Sequence, residues 1–138
     1  MANEYYGGGL KQEIQAVAAL GTSSVTTQTK AVGATRRKLR VKSIRFYGSA
    51  AVTGTSLTAE VFARTTAGAA GNTLQASATD VAFASEAAAR AGTAATLTAT
   101  GANLVLDEGQ LLEVTFTASS VTAGPDDVLT VVEYEVAF

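Results

Sequence analysis

The chain has 138 residues and a formal net charge of -2 at pH 7, and it contains no Cys, His or Trp. This length predicts one domain, and a hydrophobic fraction of 47% is sufficient for a single core. The absence of Cys and His excludes disulfides, thiolate metal sites and the commonest general base. No run of about 18 strongly apolar residues occurs, so we expect neither a membrane helix nor a signal peptide.

The first ten residues are polar and glycine-rich. Tyr5 and Tyr6 precede three consecutive glycines, and this pattern predicts a flexible tether that carries an aromatic anchor. An ordinary frayed terminus is the alternative interpretation. We place the arm at residues 1–21 and the folded domain at residues 22–138.

The segment that follows fits two structures. Leu10, Ile14 and Val17 have helical spacing, whereas a strand would place Ile14 and Leu20 on the same face. We favour the strand. A further, weaker strand is predicted over Ser24–Val32, where small and β-branched residues lead to a glycine turn signal.

The run that begins at Arg36 changes phase near Ser43. Leu39 and Val41 alternate with basic residues, but Ile44 continues the apolar pattern in the opposite phase. Because side chains alternate strictly in a strand, this slip predicts a β-bulge or a bend, such as a strand makes when it passes between two sheets.

The middle of the chain contains one clear strand and several weak ones. Ser56–Arg64 alternates regularly, with Leu57 and Val61 on the predicted inner face. Ser85 is a candidate N-cap for a single helical turn that ends at Ala91. Four shorter segments are weaker strand predictions: Asn72–Ala76, Val81–Ala84, Ala94–Ala99 and Asn103–Leu106.

The last third contains two further clear strands, Gln110–Ala118 and Val128–Phe138. About eight strands, with turn signals about every 8 to 12 residues, predict an all-β protein. We therefore expect a single jelly-roll-like β-sandwich with a flexible N-terminal arm.

Charge is distributed unevenly along the sequence. After Leu104 there are seven acidic residues and no basic one, whereas nine of the ten basic residues precede Thr65. If these segments occupy different surfaces, the molecule is two-ended and suits docking on a charged partner. Six basic residues fall within ten positions: Arg36, Arg37, Lys38, Arg40, Lys42 and Arg45.

Three interpretations of this basic run differ in the partner they require. In the first, the basic residues form a solvated strand face that pairs with acidic strands, for which Glu133 and Glu135 are candidates. In the second, they form a surface that docks on an acidic protein. Direct nucleic-acid binding is disfavoured, because the whole chain is acidic and no aromatic residue is interleaved before Phe46.

The carboxylates nominate no catalytic or metal site. Asp107 with Glu108, and Asp126 with Asp127, are adjacent pairs beside turn residues, and no EF-hand spacing is present. Phosphate-loop and nucleophile-elbow motifs are also missing from the sequence. We expect no enzymatic activity, no metal and no cofactor.

Four segments resemble the strand set of tailed-bacteriophage capsid decoration, or cement, proteins, which have a jelly-roll β-sandwich. The segments are KLRVKSIRFY (38–47), LTAEVFAR (57–64), LVLDEGQLLEV (104–114) and VLTVVEYEV (128–136). The resemblance implies a structural virion protein made in the host cytoplasm. It would bind the outside of the capsid, contact the major capsid protein lattice, stabilise the mature head and often form a homotrimer.

On this interpretation the candidate capsid contacts combine the arm and the basic run, and neither nucleic acid nor membrane is a partner. The candidate contacts are Tyr5, Tyr6, Arg36, Arg37, Lys38, Arg40, Lys42 and Arg45. The alternative is a host-recognition fibre or knob, or another tail or neck module, that binds a cell-surface glycan through Ala67–Asn72 and Ala118–Asp127. Those loops contain no aromatic platform, which counts against it.

Overall fold

The computed structural model describes residues 11–21, 25–65, 67, 69 and 71–137. In these ranges the chain forms nine strands, one short α-helix and one 3-10 helix. In chain order they are β1 (Lys11–Gly21), β2 (Gln28–Ala34), β3 (Leu39–Gly48), β4 (Ser56–Ala63), β5 (Thr79–Asp80), α1 (Glu86–Ala91), β6 (Thr93–Ala94), the 3-10 turn (Gly101–Leu104), β7 (Val105–Leu106), β8 (Leu111–Ser119) and β9 (Asp126–Val136).

The strands form two antiparallel sheets. The β1 sheet has the order β1-β9-β3-β6, with β7 also pairing with β3, and the β2 sheet has the order β2-β8-β4-β5. The first half of the chain therefore pairs with the second half in reverse: β1 with β9, β2 with β8, β3 with β6 and β4 with β5. A two-stranded ribbon wrapped in this way is a jelly roll, as the sequence predicts.

The core lies between the two sheets and is built from alternating strand positions. In β4 the burial pattern alternates without a break, so one side of the strand is apolar and the other carries polar or partly exposed residues. The largest buried side chains are Phe46 in β3 and Phe116 in β8. Small buried residues such as Ala59 and Ala63 allow the layers to approach closely.

The phase change in β3 is a β-bulge, as predicted. The register with β9 shifts between Val41 and Ser43, and Leu39, Val41, Ile44 and Phe46 are all buried. The strand does not pass to the other sheet, because it pairs with β9 on both sides of the bulge. The bulge therefore returns the apolar side chains to the core within one sheet.

The strand interpretation of residues 10–20 is confirmed, and the boundary of the arm is corrected. Residues 11–21 form β1, which pairs with β9 along its whole length. The predicted division between an arm at 1–21 and a domain at 22–138 therefore assigned a full strand of the sandwich to the arm. Its apolar alternation completes the core, with Ala18 and Leu20 buried. Tyr5 and Tyr6 lie outside the described residues.

The weaker predictions met mixed outcomes. The helical turn is confirmed, with the Ser85 Oγ accepting a hydrogen bond from the Ala88 N–H at 3.1 Å. Neither Asn72–Ala76 nor Val81–Ala84 forms a strand, and the intervening β5 has only two residues. Asn103–Leu106 is divided between the 3-10 turn and β7. No α-helix in the described ranges is long and apolar enough to cross a membrane.

Candidate functional site

A cleft of about 410 Å³ opens at the end of the sandwich where β1 begins and β9 ends. We call it the end cleft. Its lining residues come from four strands and the β2–β3 loop: Gln12, Glu13, Ile14, Ala34, Arg36, Arg37, Leu39 and Tyr134. The Tyr134 hydroxyl donates a hydrogen bond to Gln12 Oε1 at 3.0 Å, which joins β9 to β1 beside the cleft.

The local sequence explains why β1 and β2 close tightly behind this cleft. Gly33 lies in β2 at a point where a side-chain carbon would be 2.7 Å from the Ile14 Cγ2. A β-bulge shifts the register of β2 against β8 between Ala31 and Gly33. The bulge and the missing side chain let β2 pack closely on Ile14. Directly after β2, the chain continues into the exposed loop that contains Arg36.

The cleft brings together two of the predicted contact residues. Arg36 and Arg37 are exposed in the β2–β3 loop and line the cleft. Within the described part of the chain, neither guanidinium has a hydrogen bond or ion pair. Beneath them, Ile14 is half-buried and Leu39 is buried. We call Arg36 and Arg37 the basic rim.

The other four basic residues of the predicted set differ in their surroundings. Lys38 is exposed, and its carbonyl accepts a hydrogen bond from the Ala137 N–H at 3.0 Å. Arg40 is exposed on β3 opposite Glu135 in the register. The Lys42 ammonium lies 3.5 Å from Glu135 Oε1.

Arg45 is held by neighbouring groups on the outer face of the β1 sheet. Its guanidinium lies 5.6 Å from the centre of the Tyr47 ring and donates hydrogen bonds to the Tyr47 hydroxyl at 3.2 Å and the Ala91 carbonyl at 3.1 Å. A group with these contacts fixes α1 against β3 and is less available to a partner. Arg45 is therefore a structural residue more than a contact residue.

The basic and acidic segments, which would make the molecule two-ended only if they occupied different surfaces, meet at two places. Acidic β9 lies directly beside basic β3, because the jelly-roll ribbon brings the end of the chain against its first half. Lys42 pairs there with Glu135, and Arg64 pairs with Glu113 of β8. Within the described residues, Arg36, Arg37, Lys38 and Arg40 form no ion pair, so the unbalanced positive charge is concentrated in the β2–β3 loop and at the start of β3.

Sequence reasoning missed most of the end cleft. Gln12 and Glu13 belong to a strand that the predicted boundary places in the arm, and the sequence pattern does not single out Tyr134. Tyr134 is half-buried at the mouth of the cleft. The sequence does show polar residues, Gln12 and Glu13, at the start of β1. Their position beside Arg36 could not be predicted, because it results from the pairing of β1 with β9.

A second feature lies on the outer face of the β1 sheet. Val17, Leu129 and Tyr47 are direct cross-strand neighbours, and they line a shallow groove of about 280 Å³. Val17 is 65% exposed and Tyr47 is half-buried. We call these three residues the apolar row. Nothing in the sequence singled it out, because its members are far apart along the chain.

The side chains of the end cleft are of kinds that bind a partner. Arginines above an apolar floor suit an anionic side chain with an adjacent apolar part. In the described ranges, no group of three or more His, Cys, Asp or Glu residues has the arrangement needed to hold a metal ion. Asp107 and Glu108 are exposed in the turn before β8, where the Gln110 Oε1 accepts a hydrogen bond from the Asp107 N–H at 2.7 Å.

Comparisons with known proteins assign no family. No family model matches the chain, and no curated protein matches it. A solved structure, "Structure of infectious bursal disease virus Gx strain", is similar at 14% sequence identity with a TM-score of 0.32. The match covers 93% of this chain and 37% of that chain, so this chain spans little more than a third of its length.

Proposed function

We propose that this chain is a non-catalytic structural virion protein that docks on an acidic surface of a capsid through its basic rim. The observation that carries the proposal is the pair of arginines, Arg36 and Arg37, above the apolar floor of the end cleft. Neither has a partner in the described part of the chain, whereas Lys42, Arg64 and Arg90 form ion pairs. Charges that the fold does not use are available to a partner.

The finer form of the proposal is a decoration protein of a tailed bacteriophage that stabilises the mature head from outside. It rests on the resemblance of the strand segments together with the jelly-roll topology. A homotrimer and the contribution of Tyr5 and Tyr6 belong to this form. Many copies binding at equivalent positions would reinforce a shell even if each contact is weak.

Copy number tests the location. Quantitative mass spectrometry of purified virus particles that contain this chain gives its abundance relative to the major shell protein. Copy numbers comparable with the shell protein are expected for a decoration protein. A handful of copies would support the tail or fibre alternative, and absence from the particles would overturn the virion proposal.

Cosedimentation with shells that lack the protein tests the docking surface. The double variant R36A/R37A removes two positive charges at the basic rim, and R90E removes the same net charge on α1. We expect R36A/R37A to weaken binding by about tenfold or more, which is about 1.4 kcal/mol, and R90E to bind nearly as the parent chain does. Equal loss in both variants would mean that only net charge matters and would overturn the assigned surface.

A further inference from the structure

The long edge of the β1 sheet has no partner strand in the described part of the chain. β1 pairs with β9 on one side and stands at the end of the sheet order on the other. It is eleven residues long, whereas β5, β6 and β7 have two residues each. A long strand with one free edge presents backbone donors and acceptors to another strand.

The corresponding edge of the β2 sheet is protected against such pairing. Lys30 is opposite Val114 in the register, so its charged side chain points to the core side of edge strand β2. β2 also contains the bulge between Ala31 and Gly33. An inward-pointing charge and a bulge are two devices by which proteins prevent edge-to-edge association.

β1 lacks both devices over most of its length. Its core-side residues Ile14, Ala16, Ala18 and Leu20 are apolar, and its register with β9 is regular until Ala19. Up to Ala19, an added strand would therefore meet neither a buried charge nor an irregular backbone. The two edges of the sandwich thus differ in a way that favours association through β1.

The apolar row reaches this open edge at one residue. Val17 is 65% exposed, more than the other exposed large hydrophobic residue of the described chain, Leu111 at 37%. Behind it, Leu129 and Tyr47 continue the row across β9 and β3. The most exposed large apolar side chain therefore stands at the edge, where a second sheet would cover it.

We propose that β1 pairs antiparallel with β1 of a second copy of this chain, about a two-fold axis at Val17. This register places Val17 opposite Val17 of the second copy, which joins the two apolar rows into one stripe. On the core side it places Ile14 opposite Leu20 and Ala16 opposite Ala18. Each strand contributes residues 13–21 to the pairing.

Charge agrees with self-pairing in this register. Glu13 is the charged residue within the paired segment, and it falls opposite Gly21 of the second copy. No like charges are then directly opposite each other, an arrangement that would destabilise a strand pair. A two-fold contact of this kind is self-complementary, since the same patch serves both copies.

The two-fold contact is centred on a different part of the molecule from the docking surface, although Glu13 and Ile14, at one end of the paired segment, also line the end cleft. It uses the outer edge of β1 around Val17, whereas the basic rim lies in the β2–β3 loop. A three-fold arrangement would use another surface, and the β1 contact would then link one trimer to the next. Failure of the docking proposal leaves the β1 contact unaffected, and the reverse also holds.

Cysteine cross-linking tests the register in a chain that has no native Cys. In V17C the two cysteines face each other with Cα atoms about 4.5 to 5.5 Å apart, within the range of a disulfide. Q15C is the matched exposed control, because its cysteines would lie about 14 Å apart, four strand positions from each other. Under oxidised glutathione, V17C should form a disulfide-linked dimer and Q15C should not.

Mixing two single variants gives a second, independent readout. Q15C and A19C face each other in the proposed register, so their mixture should form a cross-linked heterodimer that neither variant forms alone. Cross-linking of V17C no faster than Q15C would overturn the β1 contact. A preference for the mixture of Q15C with V17C would indicate a two-fold axis at Ala16 and would overturn the proposed register.

Discussion

Gln75 has a buried amide that takes the place of a neighbouring strand. It lies in the loop between β4 and β5 with 1% of its surface exposed. Its Oε1 accepts a hydrogen bond from the Val61 N–H at 2.6 Å, and its Nε2 donates to the Ala59 carbonyl at 3.2 Å and to Thr79 Oγ1 at 3.0 Å. The Gln75 side chain thus forms hydrogen bonds with backbone groups of β4 at and beyond the point where the pairing of β4 with the two-residue strand β5 ends.

Replacement of Gln75 by leucine should therefore be costly. Q75L keeps the volume but leaves the Val61 N–H and the Ala59 carbonyl without these partners, and we expect the free energy of unfolding to fall by about 3 kcal/mol. Q28L is the control, because the Gln28 side chain donates a single long hydrogen bond to the Thr26 carbonyl at 3.3 Å. Urea unfolding measures both, and an equal loss in the two variants would contradict the role of Gln75.

Thr130 presents the opposite situation. It is 1% exposed in β9, and its hydroxyl has no hydrogen-bond partner in the described structure. T130V removes an unsatisfied hydroxyl while keeping the shape, so we expect the free energy of unfolding to rise by about 1 kcal/mol. T115V, which breaks the exposed Thr29–Thr115 hydroxyl pair at 3.0 Å, should bring no such gain. A lower melting temperature for T130V would contradict this account.

At the scale of elements, α1 packs against β3 because Gly48 has no side chain. A carbon added at Gly48 would lie 2.7 Å from the Phe83 ring and 3.2 Å from the Ala89 Cβ. Phe83 and Ala89 are both buried, so neither can move aside without disturbing the core. The absence of one methyl group therefore sets the position of the helix.

G48A should separate α1 from the sheet. We expect a loss of about 2 kcal/mol in the free energy of unfolding, with faster amide hydrogen exchange in Glu86–Ala91. G101A is the control, because no heavy atom lies within 4 Å of a carbon added at Gly101. If G48A and G101A unfolded at the same denaturant concentration, the packing explanation would be wrong.

The long strands could be predicted from sequence because their apolar alternation matches the pleat. β4 buries every second residue and β8 does so from Leu112 to Phe116, and the phase slip near Ser43 located the bulge in β3. The two-residue strands β5, β6 and β7 could not be predicted in this way. So short a strand has no period, and its pairing depends on loops that are held by contacts such as those of Gln75.

At the scale of the whole molecule, the ribbon topology decides which charges are used internally. β3 and β9 are far apart in sequence yet adjacent in the sheet, so Lys42 meets Glu135. The sequence offers Glu133 and Glu135 as partners of the basic run, and the pairing of Lys42 with Glu135 agrees with this, but the sequence does not show which basic residues remain unpaired. The candidate site could therefore be predicted only as a set of basic residues, and the fold selects Arg36 and Arg37 from that set.

We therefore predict that replacing an arginine that has an ion-pair partner, such as Arg64, lowers stability more than replacing Arg36 and Arg37. Arg64 pairs with Glu113, and its guanidinium lies 5.7 Å from the centre of the Phe62 ring, so R64Q should lower the free energy of unfolding by about 1 kcal/mol. R36Q/R37Q should change it by less than about 0.5 kcal/mol, because neither guanidinium has a partner in the described structure. Urea unfolding at low and high salt measures the stability change in both variants.

Salt should reduce the R64Q effect only in part, since the contact of Arg64 with the Phe62 ring does not depend on ion pairing. Marked destabilisation by R36Q/R37Q would mean that the basic rim supports the fold, and its conspicuous charge would then need no partner.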